Sequence, residues 1–175
     1  MKNSIKTKKR DFKKQVLEFL QQNDFEKKLK DIHRFPPMKV VNVLLSLLVT
    51  TDEELKNRVV KSFGEVVSQL TENDIESARV VMRRLMLSVT EESGGIGWNT
   101  PEAMGEIMAR SEKLADEYHK MLISYTEGGG NELDFEGLQK SVIAGLKRLG
   151  KVRPELTKSV NHLLKHDEDN VKTIS

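Results

Sequence analysis

Apolar residues recur along this chain every three to four positions, and no stretch alternates with the period of two that a half-buried strand needs. Phe12, Val16, Phe19 and Leu20 set the first helical stripe, in a helix beginning near Lys8. Asn23 and Asp24 end it and start a shorter helix carrying Phe25, Leu29 and Ile32. Phe35-Pro36-Pro37 stops that one and opens the next, because proline suits a first helical turn and not a later one. Val40 to Leu48 is the most apolar segment and reads as a core helix.

Thr50-Thr51-Asp52 is then a turn and cap, leading into a helix with the face Leu55, Val59, Phe63, Val66, Val67 and Leu70. Thr71 to Asp74 caps another, whose inward stripe is Ala78, Val81, Leu85, Met86 and Val89. Arg79 and Arg83, four residues apart, fall on its opposite side. A glycine-rich loop, Ser93 to Pro101, follows, and Thr100 is the expected cap of a helix starting at Pro101. Further helices are expected near Glu112–Tyr125, from Asp134 to Leu149, and from Arg153-Pro154 through Leu164. The run from Val171 reads as the start of one more, as if its remainder were missing.

These helices fall into pairs that repeat. Phe63-Gly64-Glu65-Val66, Met104-Gly105-Glu106-Ile107 and Leu149-Gly150-Lys151-Val152 share one order (apolar, glycine, charged, β-branched), with glycines 41 and 45 residues apart. Val49-Thr50-Thr51, Val89-Thr90-Glu91 and Tyr125-Thr126-Glu127 form a second series, with threonines 40 and 36 apart. The shorter last interval is offset by the insertion from Gly128 to Asp134. A period near 40 residues with two helices per unit predicts stacked hairpins, because one hairpin cannot cover its own apolar face. The small glycine would let the second helix of a pair approach its neighbour closely.

The repeat resembles the HEAT family, including the short HEAT-like repeats of phycobilin lyases. The middle of the chain, Ala78 to Leu85 with Glu92 to Trp98 and Pro101 to Glu106, is similar to a group of bacterial HEAT-repeat proteins that has no assigned activity. The resemblance thins out over residues 35–165. It implies a fold and supplies no reaction. The expected architecture is all-α: a right-handed, curved α-solenoid of stacked helical hairpins. It forms one domain over residues 1–175, with a basic arm at about 1–10, repeats at about 8–35, 37–70, 71–110 and 111–150, and a partial one at 153–175.

Composition narrows the chemistry. Aromatic residues make up only 5%, so the core must be aliphatic and methionine-rich, and the 32% of charged residues suits solvated outer faces. There is no cysteine, which removes disulfides, thiolate catalysis and cysteine-held metal. The net charge of +2 does not select nucleic acid as a partner. Charge is nevertheless uneven: Lys2, Lys6, Lys8, Lys9, Arg10, Lys13 and Lys14 face only Asp11 in the first fourteen residues. That segment reads as a solvated arm, with contact to an anionic surface as its functional alternative. No apolar run reaches the length of about 20 residues that spans a bilayer, and there is no signal-peptide core, so a cytoplasmic protein without a membrane partner is expected.

The strongest candidate site is the loop Gly94, Gly95, Gly97 and Trp98 with the helix start behind it. Glycines free the backbone, helix N–H groups attract anions, and the single tryptophan can anchor a partner. Its order does not match the dinucleotide fingerprint, and the phosphate-loop lysine is absent. The structural alternative has Trp98 and Ile96 plugging the seam between two hairpins. Glu102 and Glu106 lie one turn apart; a buried or surface ion-pair network with Arg79 and Arg83 is one reading, and a salt-bridged, solvated face is the favoured one. Asp116 and His119 have a spacing used in di-metal bundles, without the second motif such sites need. His162 and His166 sit four apart without the glutamate of a metalloprotease helix. No catalytic residue, metal ligand or cofactor is assigned. The leading expectation is a scaffold that holds a protein or peptide on a concave face lined by the second helix of each pair. The alternatives are a HEAT-like lyase or cofactor handler using the Gly94–Trp98 loop, or nucleic-acid binding through the basic arm.

Overall fold

The computed structural model describes residues 2–90, 97–126, 133 and 135–165, and every regular element among them is helical. Helix α1 (Lys2–Leu20) begins six residues earlier than the apolar stripe required. Its last carbonyls find no partner in their own helix; Arg58, from a later helix, donates to Leu20 O at 2.6 Å and to Gln22 O at 2.9 Å. Helix α2 (Phe25–Lys28) tightens into a 3-10 turn over Leu29–Arg34. Phe19 packs edge-on against Phe25 and Phe35, with ring centroids 5.8 and 6.1 Å apart.

Pro36 is extended and Pro37 starts α3 (Pro37–Leu45), as the diproline predicts. Asp52 caps α4 (Glu53–Asn73) by accepting from Leu55 N at 2.8 Å. Asp74 does the same for α5 (Ile75–Thr90), taking bonds from the Ser77 backbone N–H and hydroxyl, which hold its carboxyl below the usual range. Helix α6 is Thr100–Arg110, α7 is Glu112–Ser124 with Ser111 as its cap, and α8 is Glu136–Val152.

Three sequence expectations need correction. Thr100 is the first residue of α6 and not its cap; Asn99 holds the cap position but spends its side chain elsewhere. Helix α8 starts at Glu136, with Phe135 before it, and Asp134 lies outside the described residues. The helix expected from Arg153-Pro154 is a 3-10 segment over Pro154–Val160, followed by a short α-helical turn at 161–165. The turn at His166–Asn170 and the run from Val171 lie outside the described residues.

Helices α4, α6 and α8 lie side by side with α6 in the middle. Lys56 meets Glu102 and Glu65 meets Arg110, so α4 and α6 run the same way. Ser141 meets Glu102, Gly145 meets Gly105 and Arg153 meets Met108, so α8 runs that way too. Helices α3, α5 and α7 pack against this row and touch one another lightly, through Arg84–Asn42 and Arg79–Glu117.

The repeated glycines each turn toward an element later in the chain. Gly64 faces Glu106 and Arg110 of α6, Gly105 faces Gly145 of α8, and Gly150 faces Thr157 of the 3-10 segment. Only the middle one is a backbone-to-backbone crossing. A Cβ on Gly105 would stand 2.1 Å from Gly145 O, and one on Gly145 would stand 2.4 Å from Pro101 O.

Pressed between α4 and α8, every residue of α6 from Thr100 to Ala109 is buried. The core is one contiguous cluster running from Val16 to Val160. No helix among the described residues is long and apolar enough to cross a membrane.

Candidate functional site

Two carboxylates ride on the buried helix. Glu102 is 6% and Glu106 8% exposed, and a buried carboxylate needs cations and donors around it. Arg148 of α8 supplies most of them. Its Nη2 lies 2.8 Å and its Nε 2.9 Å from Glu102 Oε1; its Nη1 donates to Glu106 Oε2 at 2.9 Å, and Nη2 also reaches Asn57 of α4 at 2.9 Å. Burial works against the Arg148 cation, but the charges of Glu102 and Glu106 outweigh it and hold the guanidinium above its ordinary value.

The other carboxylate oxygens are taken from α4 and α6. Lys56 Nζ stands 3.7 Å from Glu102 Oε2, and Arg110 Nε donates to Glu106 Oε1 at 2.7 Å. Arg110 continues to Glu65 Oε2 at 2.8 Å. His33 Nε2 comes within 3.1 Å of the other oxygen of Glu65, out of line for a hydrogen bond. The result is a charge ladder across α4, α6 and α8: three carboxylates matched by Lys56, Arg110 and Arg148.

This overturns the sequence expectation for four candidate residues. Glu102 and Glu106 are not on a solvated face and do not meet Arg79 or Arg83. Arg79 pairs with Glu117 of α7, its Nη2 reaching Oε1 at 2.5 Å, and with Glu76 of its own helix. Glu117 is held below the usual carboxylate range by that contact. Arg83 is exposed on α5. Helical spacing gives the side a residue faces but not the neighbour it meets. Sequence separation was the available signal: Glu65–Arg110 and Glu102–Arg148 are 45 and 46 residues apart, near the 41- and 45-residue intervals of the glycines.

At the N-terminal end of α6, this helix with α4 and α8 leaves a half-open groove of about 330 Å³. The α3–α4 turn and α4 contribute Thr50, Thr51, Glu53 and Lys56; the start of α6 gives Trp98, Asn99 and Glu102; α8 gives Gly137, Lys140, Ser141 and Ala144. Asn99 ties the first two together, donating from Nδ2 to Leu48 O at 2.8 Å and to Thr50 O at 2.9 Å. Ser141 ties in the third by accepting from Glu102 N at 3.1 Å.

Trp98 does not plug a seam. It is 39% exposed and meets Phe135, 58% exposed, edge-on with centroids 6.1 Å apart. Its ring leans on the first turn of α8, where a Cβ on Gly137 would stand 3.3 Å from Trp98 Cε3. Gly97 is buried, with Thr100 Oγ1 tight against it. Gly94, Gly95 and Ile96 lie outside the described residues. Phe135, Gly137, Lys140 and Ser141 were not singled out in the sequence, because nothing local to them marks a site.

His119 spends Nδ1 on Ala115 O at 2.8 Å, and Asp116 is exposed beside it. His166 lies outside the described residues. Among the described residues, no group of three or more His, Cys, Asp or Glu side chains is arranged to hold a metal ion. A scan of protein-family models finds no match to this chain, and searches of curated proteins and of solved structures find none.

Proposed function

We propose that the chain is a HEAT-type stack of helical hairpins that acts as a binding scaffold, taking a peptide segment of another protein into the Trp98 groove. One observation carries this reading: a groove built jointly by α4, α6 and α8 has a half-exposed aromatic pair, Trp98 and Phe135, at its lining and rim. Large, rigid aromatic side chains that keep water-facing area are the usual anchors of protein contacts. The common direction of α4, α6 and α8 and the forward-facing glycines support the stacked-hairpin part.

The groove's charges favour a ligand of low net charge over a phosphate or a polyanion. Glu53 is beside Lys56, Glu102 is matched by Arg148 and Lys56, and Lys140 pairs with Glu136. Thr51, Asn99 and Ser141 offer polar atoms at the edge, and Ala144 and the indole offer apolar surface, so an extended peptide with one apolar or aromatic side chain fits.

Selection from a random displayed peptide library on the intact chain tests this. Selected peptides should change Trp98 fluorescence, and W98A should weaken them by about tenfold or more, with F135A weakening them less. Failure to select any peptide, or equal binding by W98A, would remove the reading. Indole quenching by a co-purifying small molecule, without peptide binding, would put the cofactor-handling alternative in its place.

A further inference from the structure

We propose a second docking surface, on the solvent side of α3 and α5, for an acidic amphipathic segment of a partner protein. The surface is distinct from the Trp98 groove. It begins with a gap in the distribution of carboxylates: residues 32–51 and residues 77–90 contain no Asp or Glu, in a chain that holds 27. Those two stretches include all of α3 and all but the first two residues of α5, and the helices touch where Arg84 Nη2 donates to Asn42 Oδ1 at 2.8 Å.

Three of the cations there, Lys39, Arg83 and Arg84, are not neutralised among the described residues. Arg83 is exposed and Lys39, one turn before Asn42, is exposed, and neither forms an ion pair among the described residues. Arg84 spends one donor on a neutral amide. Arg79, one turn earlier on α5, is a contrast: Glu76 and Glu117 already saturate it. A basic cluster without internal counter-charge attracts an acidic partner and raises its association rate.

The second observation is apolar. Val80, 38% exposed, and Leu87, 64% exposed, lie seven residues apart on α5 with Arg83 between them. Positions i, i+3 and i+7 share one face of a helix, so the surface alternates apolar, basic, apolar along two turns. A helix or strand with acids between two apolar residues complements that order.

A nucleic-acid backbone would satisfy the cations but would strand Leu87 against phosphate. An anionic bilayer would cover Leu87, but the face has no aromatic side chain of the kind that anchors a helix at a membrane interface. The acidic protein segment is the one class that uses both features.

The test displays two libraries of about 15-residue peptides to the intact chain. One fixes two acids flanked by two apolar residues seven apart; the other carries lysine in place of the acids. Enrichment is expected from the acidic library alone. By fluorescence anisotropy the selected peptide should bind R83E/R84E about tenfold or more weaker than the unmodified chain at low salt, and added salt should weaken binding to the unmodified chain and narrow that difference. L87S should weaken it too, and W98A should leave it unchanged. The far-UV spectrum checks that each variant is folded, and both arginines are at the surface. No enrichment, or unchanged affinity in folded R83E/R84E, overturns the proposal. So does tighter binding of a DNA duplex or of phosphatidylserine vesicles than of any selected peptide, if R83E/R84E abolishes it.

Discussion

Arg148 joins all three row helices: it sits on α8, holds both carboxylates of α6 and reaches Asn57 of α4. Removing it leaves Glu102 and Glu106 with one cation each, at low exposure. R148M is expected to destabilise the chain by about 2–3 kcal/mol in urea unfolding, less than for a wholly buried pair because the side chain keeps some contact with water. Adding E102Q and E106Q to R148M should recover part of the loss, since the stranded charges would be gone. A triple variant no better than R148M alone would mean that packing and not charge is the main contribution of Arg148. The sequence could place Glu102 and Glu106 on one side of a helix. It could not tell that side from a solvated one, because burial was decided by α8, more than thirty residues further along.

At the level of elements, the crossing of α6 and α8 sets how close the row can be. G105A or G145A would drive a methyl group into the opposing backbone, which has no rotamer to give, so each is expected to cost about 3 kcal/mol or more. G64A meets side-chain atoms of Arg110 and Glu106 at 2.7 Å instead. Those side chains can shift, and alanine favours the helix by about 1 kcal/mol over glycine. G64A should therefore change the midpoint of unfolding by much less than G105A. Helices α3 to α7 were legible from apolar spacing and, in part, from caps, because Asp52, Asp74 and the prolines act within a turn of themselves. The segment after Pro154 was not. Leu156, Val160 and Leu163 suit a helix of either winding, and a 3-10 turn differs by contacts that the spacing does not record. Gly145 was missed for a similar reason: it lies outside the repeated tetrapeptide, yet it makes the tightest contact.

For the whole molecule, a single core from Val16 to Val160 means that unfolding should be cooperative, and a buried titratable group then affects the entire transition. Tyr125 is 4% exposed, and burial pushes its phenol above the ordinary value. The unfolded chain would ionise this tyrosine first as pH rises past about 10. The stabilising contribution is thus whole below that pH and is lost as pH climbs toward the folded-state value. Y125F should flatten this part of the alkaline limb of a stability–pH curve; an unchanged slope would assign the loss to other groups. The all-helical class could be inferred from the order of residues. The Trp98–Phe135 rim could not, because it forms between residues from different pairs, and no local pattern marks either as half exposed.

The burial of α6 from Thr100 to Ala109 has a consequence for biosynthesis. Ribosomes deliver a chain from its N-terminus, at about 5–20 residues per second, and α6 leaves the exit tunnel well before α8 does. During that interval Glu102 and Glu106 have only Lys56 and Arg110, and the groove beside Gly105 is uncovered. The centre of this molecule is thus completed only after α8 has been made, and a nascent chain stalled short of Arg148 would offer chaperones a surface that the folded chain hides.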